Sequence, residues 1–213
     1  MFAYCLNNPI CHVDSSGLFS RYIPIPGLEV CPERSYIINQ HEEPTASKHL
    51  GVTTVSHGGC GVVASYNALI TLGESKDFDD VLAYYNANMR DTLGWGLVGL
   101  SVDAIADYFS SLGYIVFATD DAAHIDFLAQ IADASIVYYE FPQDYLFLKK
   151  ITIHAYGAHF VEYHRSGDGF AATNTVQNNG VTLFTSPYDF GYSGTRFYAK
   201  HIFIFKRDDI YEF

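Results

Sequence analysis

Basic residues are scarce in this sequence: 12 Lys and Arg stand against 24 Asp and Glu, a formal net charge of −12. Nucleic-acid binding needs a basic patch that neutralises phosphates, and none is visible, so nucleic acid is not expected as a partner. An anionic membrane surface is disfavoured on the same ground. Cysteine is sparse too. Cys5, Cys11, Cys31 and Cys60 are too few for a disulfide scaffold, and no two have zinc-ligand spacing. The 9 histidines include no His-Glu-x-x-His pattern, so neither a metal site nor a cofactor is expected. Long apolar runs are missing. Gly51 to Gly73 carries no Asp, Glu, Lys or Arg, yet holds His57, Asn67, several hydroxyl residues and glycines, which makes a poor membrane span. The first residues lack the basic region and apolar run of a signal peptide.

What is present is a globular composition. The 213 residues suit one domain, or at most two, and can bury roughly 70% of the unfolded surface without a disulfide or metal. Hydrophobic residues make up 49% and charged ones 17%, which is not a disordered composition. Tyr (17) and Phe (16) dominate over Met (2) and Trp (1), and alternating tyrosines favour β-structure over a helical bundle.

Residues 21–50 read as loop, punctuated by Pro24, Pro26, Pro32 and Pro44. Cys60 to Leu72 reads as a helix that Gly73 stops. Residues 77–88 suit a second helix, with Phe78, Val81, Leu82 and Tyr85 on one face. A third is expected at 102–112, capped by Ser101 and stopped by Gly113, and a fourth at 122–132. Ile115 to Ala118 and Ile136 to Phe141 read as strands. From about 145 the chain turns mostly β, with strands expected at 150–155, 158–164, 169–175 and 196–206 and a hairpin turn at Ser166-Gly-Asp-Gly. Helices first and antiparallel strands last make an α+β class.

The segment Gly58-Gly59-Cys60-Gly61-Val62-Val63-Ala64 carries the clearest chemistry. It puts a cysteine at a helix start between glycines. Unpaired N–H groups and the helix dipole favour the thiolate, and the same N–H groups can hold an oxyanion. Gly59 and Gly61 let a substrate carbonyl approach. A buried structural cysteine is the plain alternative. A nucleophilic thiol needs a base with an orienting partner. In Ala158-His159-Phe160-Val161-Glu162-Tyr163, His159, Val161 and Tyr163 share a face. If a tight loop joins the strands at 166–169, Asn174 projects on the same side as His159 and can orient its ring. A bulge would reverse that relation. His57 and His154 lack such a partner, and His164 points to the opposite face.

Two resemblances add to this. Tyr4, Asn7-Asn8-Pro9, Asp14 and Gly17 resemble the last segment of the Rhs/YD-repeat core, just before the variable toxin tips of those proteins. Ser15 stands where Pro usually follows the Asp in that family. Residues 1–20 are therefore expected to be a core-like arm and residues 21–213 the catalytic domain. From about residue 50 to 180, Gly59-Cys60-Gly61-Val62-Val63-Ala64, Gly99-Leu-Ser-Val-Asp-Ala-Ile-Ala, Leu112-Gly113-Tyr114, Ala158-His159-Phe160-Val161 and Gly167-Asp-Gly resemble the bacteriocin-processing, transporter-associated peptidases. That resemblance implies a papain-like fold, Cys60 as nucleophile, His159 as general base, and Asn174 where the family carries Asp or Asn. Papain-like enzymes usually place Gln six residues before the cysteine to complete the oxyanion hole; here Thr54 stands there, and Gln40 is remote in sequence.

These readings lead to a cysteine-dependent acyl-transfer enzyme, first a peptidase, deployed as an Rhs-type toxin tip. Its partners would be a protein or peptide substrate and a dedicated immunity protein. A deamidase or transglutaminase-type enzyme uses the same thioester chemistry. A degenerate papain-like binding domain is the alternative from another class.

Overall fold

The structure, a computed structural model, describes residues 35–88, 92–93, 99–147, 151–175 and 180–207. The arm at 1–20 and Cys5, Cys11 and Cys31 lie outside the described residues.

A small hairpin, β1 (His49–Leu50) and β2 (Thr53–Thr54), leads into a single turn, α1 (Val55–Gly58), and then the central helix α2 (Cys60–Thr71). Next come α3 (Phe78–Ala87), the short pair β3 (Thr92–Leu93) and β4 (Gly99–Leu100), and α4 (Val102–Ser111). The rest is β5 (Ile115–Thr119), α5 (Ala122–Ile131), β6 (Ala134–Phe147), β7 (Ile151–Ser166), β8 (Gly169–Thr173), β9 (Val181–Phe184), α6 (Pro187–Gly191) and β10 (Tyr198–Phe205). The class is α+β, with one six-stranded antiparallel sheet in the order β5-β10-β6-β7-β8-β9.

The helices begin and end as local chemistry dictates. Ser101 Oγ accepts from Ala104 N, Asp121 accepts from Ala123 N, and Asp77 forms a capping box with Asp80. Gly73 (φ 77°) and Gly113 (φ 92°) close α2 and α4 in left-handed conformations, which return the Glu74 and Tyr114 N–H groups to Leu69 O and Phe109 O. The strands expected at 150–155 and 158–164 are one continuous strand, β7. It pairs with β6 from Ser135↔Tyr163 to Phe147↔Ile151, so the β6–β7 ribbon runs past the edge of β8.

Side chains alternate across this sheet. Ile136, Phe160, Ala171, Ile202 and Ile204 face α2, α3 and α4; Val137, Val161, Tyr163, Ala172 and Phe203 face the opposite core with α5 and α6. Helix α2 is buried on almost every side from Gly61 to Ile70, which is why it reads as apolar all round. Among the described residues, no helix is long and apolar enough to cross a membrane.

One polar network is sealed between α2 and the sheet. The Glu162 carboxylate, with no exposed surface, accepts from Thr71 Oγ1 (2.7 Å), His164 Nδ1 (2.7 Å) and Thr173 Oγ1 (2.8 Å). Asn67 Nδ2 donates to Thr173 Oγ1 and to Ile37 O, while its Oδ1 accepts from Ile37 N. Tyr36 stacks on His164 with ring centroids 5.5 Å apart and donates to Thr71. A buried carboxylate is tolerated because its acceptor capacity is filled. Removing it strands three donors. Glu162→Ala is therefore expected to cost about 3–5 kcal/mol in urea unfolding; a loss below about 1 kcal/mol would mean that the network does not hold α2 on the sheet.

Candidate active site

Glycines set the approach to Cys60. Thr54 occupies the cap position of α1, and Gly59 joins α1 to α2. A Cβ at Gly59 would lie 2.5 Å from Val55 Cα and 2.7 Å from Val55 O, so no other residue allows the chain to fold back this closely. A Cβ at Gly61 would sit 3.0 Å from the Leu100 side chain, and one at Gly99 (φ 94°) would sit 3.0 Å from Gly58 O. The junction leaves Cys60 as the first residue of α2.

The main-chain N–H groups of Phe160, Gly61 and Cys60 itself lie close enough to the thiol to favour its charged form. Phe160 follows His159 on β7. The thiol is also within electrostatic range of Tyr139, whose ring meets the His159 ring edge-on at 5.8 Å. Cys60 thus meets β7 at Phe160, the residue after His159, while the His159 ring lies with Tyr139 on the sheet face opposite α2.

The expectation of an acidified thiol is overturned. Burial is the largest influence on Cys60 and raises its pKa above the ordinary value; the N–H groups of Phe160, Gly61 and Cys60 lower it but do not prevail. Part of the residue reaches solvent, for Cys60 is half-buried overall. His159 moves the other way. Burial lowers its pKa to about 4, against the hydrogen bond to Asn174 and helped by the charges of Arg196 and His41. Around neutral pH the resting pair is a neutral thiol and a neutral imidazole.

The orienting partner also differs from expectation. The β7–β8 turn is the tight one, with Ser166 opposite Gly169 and Glu162 opposite Thr173, so the parity argument for Asn174 holds. The ladder then stops. Asn174 takes a left-handed conformation (φ 60°), and its backbone oxygen, not its carboxamide, accepts from His159 Nε2 at 2.7 Å. A carbonyl can only accept, so Nε2 carries the proton and Nδ1 is the basic nitrogen. The Asn174 carboxamide is engaged by Gln40: Oδ1 accepts from Gln40 N and Nδ2 donates to Gln40 Oε1, both at 3.0 Å. Gln40 Nε2 in turn donates to Val55 O and Ser56 O, each at 3.3 Å. Gln40 is the residue that sequence reasoning passed over. Its separation of 134 positions from Asn174 leaves no local signal.

Thr54 Oγ1 lies 3.1 Å from His57 Nδ1, so its hydroxyl serves that contact. The donors beside the sulfur are main-chain ones. His164 sits on the opposite face, on Glu162. Among the described residues, no group of three His, Cys, Asp or Glu is placed to hold a metal ion.

Two outcomes follow from this geometry. Because the Cys60 pKa is raised, iodoacetamide should modify Cys60 more slowly near pH 7 than a free thiol of pKa about 8.5, with a rate still climbing above pH 9. A rate that levels off below pH 7 would instead reveal a thiolate–imidazolium pair. Asn174→Gly keeps the left-handed backbone and the carbonyl but strands Gln40, for a loss of about 1–2 kcal/mol. Asn174→Ala should add roughly 1 kcal/mol of backbone strain. Nitrogen-15 NMR of Asn174→Gly should still show His159 protonated at Nε2; a switch of tautomer would mean that the carboxamide does the orienting.

No protein-family model matches the chain, and no curated protein matches it.

Proposed function

We propose that this chain is a papain-like, cysteine-dependent acyl-transfer enzyme, in the first place a peptidase, and that it acts as the tip domain of an Rhs-type toxin. What supports the chemistry is a helix-start cysteine that meets β7 at the Phe160 N–H, one residue along the chain from a histidine of defined tautomer. The toxin role rests on the resemblance of residues 1–20 to the Rhs core, and with it comes an immunity protein as partner.

The reaction starts from a neutral pair. Cys60 Sγ attacks the substrate carbonyl carbon while His159 Nδ1 takes the thiol proton, so the carbon–sulfur bond forms as the carbonyl π pair moves to oxygen. The Cys60 N–H and its neighbours stabilise that oxyanion. Collapse of the tetrahedral intermediate breaks the carbon–nitrogen bond, and His159 passes its proton to the departing amine. Water, deprotonated by His159, then attacks the thioester, the carbon–sulfur bond breaks, and the proton returns to sulfur. In a deamidase the departing amine is ammonia; in a transglutaminase an amine replaces water. The Asn174 carbonyl stabilises the imidazolium that forms in each half-reaction.

The thiol raised by burial favours a second reading, a degenerate papain-like domain that binds without turnover. One experiment separates the two. Expression of the full chain in a bacterial cytosol should slow growth, and Cys60→Ala or His159→Ala should abolish the effect with a loss of turnover of at least about 10³-fold. Equal toxicity of folded Cys60→Ala would overturn the acyl-transfer reading.

A further inference from the structure

A cavity of about 590 Å³ opens on the α6 side of the sheet beside His159. Its size suits a side chain with some adjoining backbone. Tyr139, whose ring contacts His159, and Thr175, which follows Asn174, form its inner end. Phe141, Phe184 and Phe190 line it, and Phe184 stacks on Phe190 with centroids 4.3 Å apart. One side of the cavity is therefore aromatic and stiff, and hydroxyl residues such as Thr182, Thr185 and Ser193 share the rest of the lining.

Arg196 interrupts the aromatic side. Its guanidinium carbon lies 3.7 Å from the Tyr139 ring centre and 4.6 Å from that of Phe190, and it donates to Phe190 O. Stacking on two rings holds the plane fixed, and a fixed planar fork suits bidentate binding of a carboxylate. The chain carries 24 acids against 12 bases, yet Arg196 forms no ion pair with any carboxylate among the described residues. Asp189, the one acid of the lining, sits in the first turn of α6 and does not pair with it. A half-buried cation without a counter-charge costs free energy that an anionic ligand would recover. The Arg196 charge also reaches His159, which ties the pocket to the candidate active site.

We infer that this pocket is a substrate subsite for a peptide carboxylate, held by Arg196 at the Tyr139 end of the cavity. This rests on the acyl-transfer reading for its role, though the binding itself does not need turnover. The carboxylate can come from an acidic side chain or from a peptide C-terminus.

The test is calorimetry on the full chain carrying Cys60→Ser, which cannot turn over. The probes are N-acetylated alanine hexapeptides with a central Glu, Gln or Lys, each amidated at the C-terminus, and the Gln peptide with a free C-terminal carboxylate. A carboxylate peptide should bind at least about tenfold more tightly than the amidated Gln peptide. Preference for the amidated Glu peptide identifies a side chain as the source; preference for the free-acid peptide identifies a C-terminus. Arg196→Gln should remove the preference. Because Arg196 also packs against two rings, Leu183→Glu on the exposed rim is the second variant, expected to weaken the carboxylate peptide by repulsion with the fold intact. Equal binding of Glu, Gln and Lys peptides, no binding at millimolar concentration, or a preference that survives both substitutions would overturn the inference. None of these results touches the cysteine reading, which stands or falls on the growth effect of Cys60→Ala.

Discussion

The left-handed turn at Asn174 and its amide pairing with Gln40 set the geometry of the whole site. The turn ends the β8 ladder after Thr173 and swings the Asn174 carbonyl onto His159. The carboxamide takes both the backbone N–H and the side-chain oxygen of Gln40, whose own amide then holds the carbonyls of Val55 and Ser56 at the start of α1. One buried pair thus links the histidine strand, the segment before β1 and the turn that delivers Cys60. Asparagine suits this position on two counts: it tolerates positive φ better than other side chains, and its amide offers a donor and an acceptor at once.

Two opposed forces act on the cysteine and the histidine, and magnitude decides between them. Helix N–H groups and the dipole favour a thiolate, but they are short-range and modest. Desolvation acts on any charge in the site and wins at both residues, holding the thiol protonated and the imidazole neutral. In the proposed chemistry the charge is therefore created during the reaction, where the N–H groups and the Asn174 carbonyl are already in place to receive it.

Behind the site, the sealed carboxylate of Glu162 fixes where α2 lies on the sheet, and so where its first residue comes out. Thr71 from the helix and His164 and Thr173 from the sheet meet on the same two oxygens. Apolar packing alone leaves a helix free to slide by small amounts, whereas a filled set of buried hydrogen bonds admits one register. The glycine at 59 completes the placement, since a Cβ there would run into Val55.

The sequence by itself determined what short-range rules govern. Apolar periodicity and caps placed α2 to α5, Ser166-Gly-Asp-Gly marked the hairpin, and strand alternation put His159 and His164 on opposite faces. Cys60 at a helix start was legible because glycine and helix-forming residues act within a few positions. The merging of two expected strands into β7 was not legible, because it depends on pairing with β6. Nor were the Gln40–Asn174 pair, the use of a backbone carbonyl in place of a carboxamide, or the Arg196 pocket. Each of these joins residues distant along the chain, and the thiol's raised pKa depends on how much protein surrounds the sulfur. Contact across the fold and exclusion of water are properties of the packed molecule, and only the tertiary structure decided them.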